Sequence, residues 1–251
     1  SGGRFLLRIE DLDAGRCRLE FVEGIFEDLT WLGADHDGDA IIQSQRTAVY
    51  AKALERLRSQ CLVYACFCTR AEIAQSLTAP HGDAGILYPG TCRPLPDDPG
   101  RRATTPHCWR LNAEKALELA GLPAWTEEDG TRFQSKQVDF GDAILARKDA
   151  PSSYHLACVV DDAASGVTLV VRGEDLRPST PTQRLLQILL DLPEPQYLHH
   201  PLIAHEDGRR LAKRDRAPTL EALREGGADG RKLAADILED RLPLGFRLSA
   251  A

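Results

Sequence analysis

From Thr78 to Pro106 the chain loses its apolar periodicity while Gly and Pro recur, and this interruption limits what the sequence can fold into. On either side of it, short apolar runs alternate with stretches of helical period. Such alternation calls for helices packed on a parallel sheet, here an α/β nucleotide-binding fold carrying a small inserted subdomain. Arg18 to Leu32 places Val22, Ile25, Phe26, Leu29 and Leu32 on one stripe, which predicts an amphipathic helix ended by a left-handed cap at Gly33. A second helix is expected from Ser44 to about Ser59 and a strand from Leu62 to Cys68, after which Thr69 and Glu72 form a capping box.

Beyond the interruption, Trp109 to Leu111 reads as a strand, Ala113 to Ala120 as a helix and Val138 to Leu145 as an irregular strand pair. Core character returns at Tyr154 to Val160, and Val167 to Arg172 is a strong strand. Thr180-Pro181 opens a helix that buries Leu185, Leu186 and Leu189, and Tyr197 to Ala204 is strand-like. Asp207-Gly208 turns into a basic loop, Arg209 to Arg216, before two amphipathic helices around Leu220 to Arg224 and Leu233 to Leu238. The acidic stretch Asp35 to Asp39 lacks the downstream Glu of a calcium loop and reads as a solvated turn.

Composition excludes several classes. A net charge of −7 argues against a protein that coats nucleic acid nonspecifically, although a local basic patch can still meet phosphates. No apolar run approaches the roughly 20 residues of a membrane helix, so no membrane partner is expected. Seven cysteines, an odd number, predict a reduced, cytoplasmic chain.

Four constellations carry candidate chemistry. After the apolar run Phe5 to Ile9, the acids Glu10, Asp11 and Asp13 fall where a strand ends, a position suited either to gripping a cationic group or to capping the next helix. Cys66, Cys68 and Cys92 supply three soft donors from two short segments, as a tetrahedral zinc requires, with Tyr88 and His81 as level candidates for the fourth ligand and Cys61 or Cys108 behind them. Such a zinc is a staple for a segment with little core of its own. At the end of a buried strand, Arg172 can bind a carboxylate bidentately or pair internally with Asp175, and Gly173 permits a close backbone approach. Tyr154 joins an apolar body to a polar tip suited to a small-ligand pocket. Lastly, the loop Arg209 to Arg216, with Lys213 in it, suits a polyphosphate.

Taken in order, Arg8-Ile9-Glu10-Asp11-Leu12-Asp13, Gln43-Ser44-Gln45-Arg46, Cys66-x-Cys68, Tyr88-x-x-x-Cys92, Tyr154-His155-Leu156-Ala157 with Val159-Val160-Asp161-Asp162, Gly166-Val167-Thr168 through Arg172-Gly173, and Leu211-Ala212-Lys213 resemble the catalytic half of class I glutamyl-tRNA synthetases. More closely, the chain resembles their small paralogues, the glutamyl-queuosine tRNA(Asp) synthetases, over residues 3 to about 220. The resemblance implies a Rossmann-like parallel sheet with a zinc-bearing α+β insertion and a short helical C-terminal end. It divides the chain into a catalytic core at 1–65 and 150–216, an insertion at 66–149 and a helical segment at 217–251. It also implies ATP-dependent activation of L-glutamate, with Mg2+, and transfer to the queuosine base of tRNA(Asp), by a monomer. Glu10 then receives the ammonium of glutamate, Tyr154 and Arg172 bind the amino acid, and Lys213 is the catalytic, ATP-binding lysine. The implied zinc ligands are Cys66, Cys68, Tyr88 and Cys92, which moves Tyr88 ahead of His81.

Two departures stand out. Ala212 and Arg210 replace the serine and lysine usual in the signature loop. The sequence also contains no Met, and the family's first strand, with its HIGH-like motif and an arginine and serine that touch glutamate, would precede Ser1. Residues 1–251 alone are therefore expected to be incomplete and not to form the adenylate. The alternatives are a fragment of a glutamyl-tRNA synthetase and a non-catalytic, zinc-containing RNA-binding relative.

Overall fold

The computed structural model describes residues 2–13, 15, 17–69, 71–73, 88–207, 219–239, 241–243 and 246–249. His81, most of the Gly/Pro-rich stretch before Tyr88, and the basic loop with Lys213 lie outside them. The chain divides into two compact units, one of residues 1–44, 173–175 and 200–251, the other of residues 45–172 and 176–199.

In the first unit, β1 (Arg8–Ile9) pairs parallel with β2 (Ile41–Ile42) in the register Arg8 to Ile41, and Ile9 is buried. The Asp37 backbone N–H bonds the Phe5 carbonyl at 2.7 Å while its carboxylate accepts from the Phe5 N–H at 2.8 Å. The acidic turn is thus tied to the strand it neighbours. Helix α1 (Leu19–Leu32) ends at Gly33, whose φ of 72° is the left-handed cap the sequence predicts. Its apolar stripe is only half-buried, against two short helices, α7 (Leu220–Glu225) and α8 (Gly230–Leu238). Trp31 Nε1 donates to the Ala228 carbonyl at 3.2 Å, and Arg224 pairs with Glu27 at 2.7 Å from the polar face. β10 (Ile203–His205) runs antiparallel to β11 (Phe246–Leu248).

The second unit holds the larger core. Helix α2 (Thr47–Ser59) buries Tyr50, Leu54 and Leu57, one stripe at helical spacing. Next come β3 (Val63–Cys66), the short helix α3 (Pro99–Thr104), β4 (Cys108–Leu111) and α4 (Ala113–Ala120), the last capped by Asn112 accepting from the Lys115 N–H at 3.2 Å. β5 (Ala124–Thr126) and β6 (Arg132–Gln134) make a hairpin on which Trp125 and Phe133 stack at 5.3 Å. β7 (Ile144–Ala146) joins β3 and β4 in an antiparallel sheet ordered β3-β4-β7. Helix α5 (Tyr154–Ala164) and helix α6 (Thr180–Leu189) are buried nearly all round, and β8 (Leu169–Gly173) pairs with β9 (Gln196–His200). Asp161, at 0% exposure, accepts from Arg46 and Tyr50 at 2.7 Å each and locks α2 to α5.

Several expectations need correction. Among the described residues β1 pairs parallel with β2 and Glu127 bridges Tyr197 in parallel, whereas the three-stranded sheet β3-β4-β7 is antiparallel because its strands return through loops and short helices rather than single helical crossovers. The strand pair expected at Val138 to Leu145 is a 3-10 turn, Gln137–Asp139, followed by β7 alone. The hairpin lies earlier, turned by Asp129-Gly130, where Gly130 takes φ 86° and Asp129 accepts from the Thr131 N–H at 2.8 Å. The loop-rich stretch contains α3, started by Pro99 with Asp98 as its cap. Tyr197 to Ala204 is two strands broken at Pro201-Leu202.

Candidate functional site

Arg172 sits on β8 and is buried. A guanidinium keeps its charge in proteins, so burying it is costly unless its donors are satisfied. Its Nε donates to His199 Nε2 at 3.1 Å, one terminal nitrogen to Gln183 Oε1 at 2.5 Å and Tyr154 Oη at 3.4 Å, and the other to Thr180 Oγ1 at 2.6 Å. These acceptors come from β9, α6 and the first turn of α5, which Ser153 caps. Four of five N–H groups are thereby engaged, and every partner is neutral. Among the described residues no acid pairs with Arg172, so the internal pairing with Asp175 is not made.

A carboxylate reaches the cluster at one remove, through His199. Glu127, just past β5, lies 2.9 Å from His199 Nδ1, and also accepts from Trp125 Nε1 at 3.2 Å and pairs with Arg177 at 3.4 Å. Burial holds the His199 pKa below the ordinary histidine range against the pull of Glu127, and the charge of Arg172 works in the same direction as burial. His155, beside Tyr154, is driven down to about 4 by burial and by Arg172, and its Nδ1 has no hydrogen-bond partner. Burial and Arg172 thus disfavour the charged form of both rings, so the cluster's positive charge sits on Arg172. A buried, fixed guanidinium with neutral supports is built to receive an anion. Arg172 and Tyr154 stand out in the sequence, whereas Glu127, Thr180, Gln183 and His199, which no common motif links, do not.

The second cluster is sulfur-rich. Cys66 ends β3 and Cys68 follows two residues on, and their sulfurs lie within 4.8 Å of each other and of Cys92. Cys68 Sγ is 3.5 Å from both Cys92 Sγ and Tyr88 Oη, and the Cys92 N–H donates to Tyr88 Oη at 2.8 Å. Sulfurs bound tetrahedrally at about 2.3 Å from a zinc lie about 3.8 Å apart, so this donor set fits one with little movement. A bond from Cys108 holds the Cys66 thiol well below its usual range, with Tyr88 and Arg110 adding to the effect, whereas burial raises Cys68. Burial and bonds to the cysteines raise the Tyr88 phenol as well. Arg110 lies 3.9 Å over the Tyr88 ring. Next to Cys92, Arg93 donates to the buried Asp142 at 2.8 Å, and Asp142 also takes the Tyr64 hydroxyl and the Ala113 N–H, so the loop is pinned to the sheet. Cys108 faces Cys66 across β3 and β4, and Cys61 is exposed.

The remaining candidates divide between the first unit and the undescribed residues. Glu10 follows β1 and pairs with Arg8 at 3.5 Å. Asp11 is a fold-holding acid: its carboxylate accepts from the Ser44 N–H at 2.8 Å and the Ser44 hydroxyl at 2.5 Å. Gly173 is required by its own chain, since a Cβ there would lie 2.6 Å from Asp175 Oδ1 and 2.8 Å from Leu202 Cδ2. A cavity of about 450 Å³, which no motif announces, opens beside Arg58, Tyr64, Phe67 and Trp109 and includes neither Tyr154 nor Arg172. No helix among the described residues is long and apolar enough to cross a membrane.

Comparison with known proteins adds independent information. The family described as tRNA synthetases class I (E and Q), catalytic domain, matches residues 1–234. The Glutamyl-Q tRNA(Asp) synthetase of Nocardia farcinica is 46% identical over 248 residues, which cover 97% of this chain and 76% of that protein. The protein of the same name from Rhodobacter capsulatus is 43% identical over 241 residues, covering 91% of this chain and 85% of that one. Among solved structures, a glutamate tRNA ligase from Elizabethkingia meningosepticum, in complex with its amino acid, superimposes with a TM-score of 0.70 at 26% identity. The match covers 85% of this chain but only 46% of that ligase.

Proposed function

The chain belongs to the class I (E and Q) tRNA synthetase catalytic family, ligases of the aminoacyl-tRNA synthetase kind, and from that premise we propose that it activates L-glutamate with ATP and transfers it to the queuosine base of tRNA(Asp). In the first step a glutamate carboxylate oxygen bonds the α-phosphorus of ATP and pyrophosphate leaves. In the second, a nucleophile of the queuosine base attacks the acyl carbon and AMP leaves. The observation that carries this reading is the buried Arg172, engaged by neutral partners only, in a chain 46% identical to a protein bearing that name.

Glutamate brings two carboxylates and an ammonium, so its pocket needs a cation and an acid. Arg172 and Tyr154 supply the first, with the phenol oriented by the guanidinium. Glu10 is our candidate for the ammonium, and Lys213 for the triphosphate, where a compact charge stabilises electron density moving onto pyrophosphate. Mg2+ would accompany ATP. Ala212, in place of the usual serine, lacks a hydroxyl that could donate to phosphate. Cys66, Cys68, Tyr88 and Cys92 are our candidate zinc ligands. A bound zinc would staple the inserted segment and take no part in the reaction. We infer a cytoplasmic protein that acts as a monomer.

The test is transfer of labelled glutamate by the full-length polypeptide to queuosine-modified tRNA(Asp) and to tRNA(Glu). Label on the first supports the reading. Charging of tRNA(Glu) favours an ordinary glutamyl-tRNA synthetase, and label on neither favours an RNA-binding relative without the chemistry.

A further inference from the structure

We infer that Glu127 and His199 form a positioning pair for Arg172, the carboxylate fixing the imidazole tautomer and the imidazole holding the guanidinium in the orientation that meets the substrate. The inference rests on Arg172 being the arginine that binds glutamate.

The tautomer follows from the contacts. Arg172 Nε is a donor only, so the nitrogen 3.1 Å from it, His199 Nε2, must present a lone pair. The carboxylate of Glu127 accepts only, and its two oxygens lie 2.9 and 3.2 Å from His199 Nδ1, so that nitrogen carries the hydrogen. One neutral tautomer satisfies both contacts. Moving the proton to Nε2, or adding a second, would oppose two N–H groups at 3.1 Å inside a buried cluster. The ring has little room to turn away, because Tyr197 stacks parallel to it at 5.9 Å and Thr180 Oγ1, which accepts from Arg172, lies 3.3 Å from Nε2.

Glu127 is itself held. Besides Trp125 and Arg177, the backbone fixes it: Glu127 bridges to Tyr197, and the Glu128 N–H donates to the Tyr197 carbonyl at 2.7 Å. The charged groups facing His199 are therefore Glu127, Arg172 and Arg177, with Thr180 and Tyr197 as neutral neighbours. The arrangement also explains why the acid stands one residue back. A carboxylate directly on the guanidinium would occupy the donors a substrate needs and cancel the charge that attracts it. Acting through the imidazole, Glu127 orients Arg172 and leaves one N–H and the charge available.

The test compares glutamate-dependent ATP–pyrophosphate exchange, in the full-length polypeptide, for Glu127→Gln, His199→Phe, His199→Gln and Arg172→Lys. Loss of a hydrogen bond to a charged group predicts a rise of about tenfold or more in the glutamate KM for Glu127→Gln and His199→Phe, with the ATP KM unchanged. His199→Gln restores one donor and one acceptor and recovers most of the affinity, which a merely structural role would not require. If Arg172→Lys leaves the glutamate KM unchanged, the glutamate-binding reading fails and this inference with it. If Arg172→Lys raises it while both Glu127→Gln and His199→Phe stay within about twofold, well under the value of such a bond, the positioning pair alone is overturned. Nitrogen-15 NMR of histidine-labelled wild type needs no variant to fold: a hydrogen on His199 Nδ1 at neutral pH is expected, and one on Nε2 overturns the pair.

Discussion

The sulfur cluster and the Arg172 cluster belong to the same compact unit yet are assembled in opposite ways. The sulfur cluster draws its donors from two short segments, Cys66 to Cys68 and Tyr88 to Cys92, and the turn carrying Cys92 is pinned through Arg93, which pairs with Asp142 and Glu114. The Arg172 cluster draws on β8, β9, α5, α6 and the end of β5, and its order comes from packing and a chain of hydrogen bonds. A metal can supply order that a loop lacks, so its ligands need only proximity in sequence. A guanidinium cage must be rigid before its ligand arrives, so its walls come from wherever the core is firm.

That contrast is open to direct attack. The largest effect is expected at Arg172: Arg172→Lys loses the planar fork while keeping the charge, and glutamate-dependent kcat/KM should fall about 100-fold or more while circular dichroism stays native. Cys92→Ala should act the other way round, on order rather than on the ligand. Elemental analysis should show zinc falling from about one per chain to none, with a lower thermal midpoint and glutamate affinity far less changed than in Arg172→Lys.

Acid sharpens the comparison next. His155 has a folded-state pKa of about 4 against its ordinary 6.5, so the unfolded chain binds its proton first and the contribution of the neutral ring is complete only above that ordinary value. Stability should fall as pH drops from 6.5 toward 4, by about 3 kcal/mol from this residue, and His155→Leu should remove that part of the pH dependence in urea unfolding. The smallest effect is expected at the cap of α5: Ser153 accepts from the Leu156 N–H at 3.5 Å, and Ser153→Ala should cost about 1 kcal/mol of stability.

The two clusters differ just as much in how far sequence reveals them. Cysteines two apart, followed by a tyrosine and a cysteine four apart, announce a shared site because the donors are local. The order of motifs likewise reads out the family, which the match over residues 1–234 shows. Helices with a clean apolar period, such as Thr47–Ser59 and Ala113–Ala120, are legible to within a few residues. Glu127 and His199 are not, because they stand 72 residues apart and their side chains meet where the backbone of Glu127 bridges to Tyr197. The Asp129-Gly130 hairpin escapes notice for a related reason: its strands are three residues long and offer no alternation to count. Lys213 and Glu10 remain proposals, Glu10 in the first unit and Lys213 outside the described residues.

The central claim is that Arg172, which has no acidic partner among the described residues, leaves that place to a substrate carboxylate. The most direct measurement is calorimetric titration of L-glutamate into the full-length wild type and into Arg172→Gln, which removes the charge. The account predicts that the wild type binds and that the variant loses about tenfold or more in affinity, the value of a charge-assisted hydrogen bond. Equal affinities in two folded proteins would contradict it.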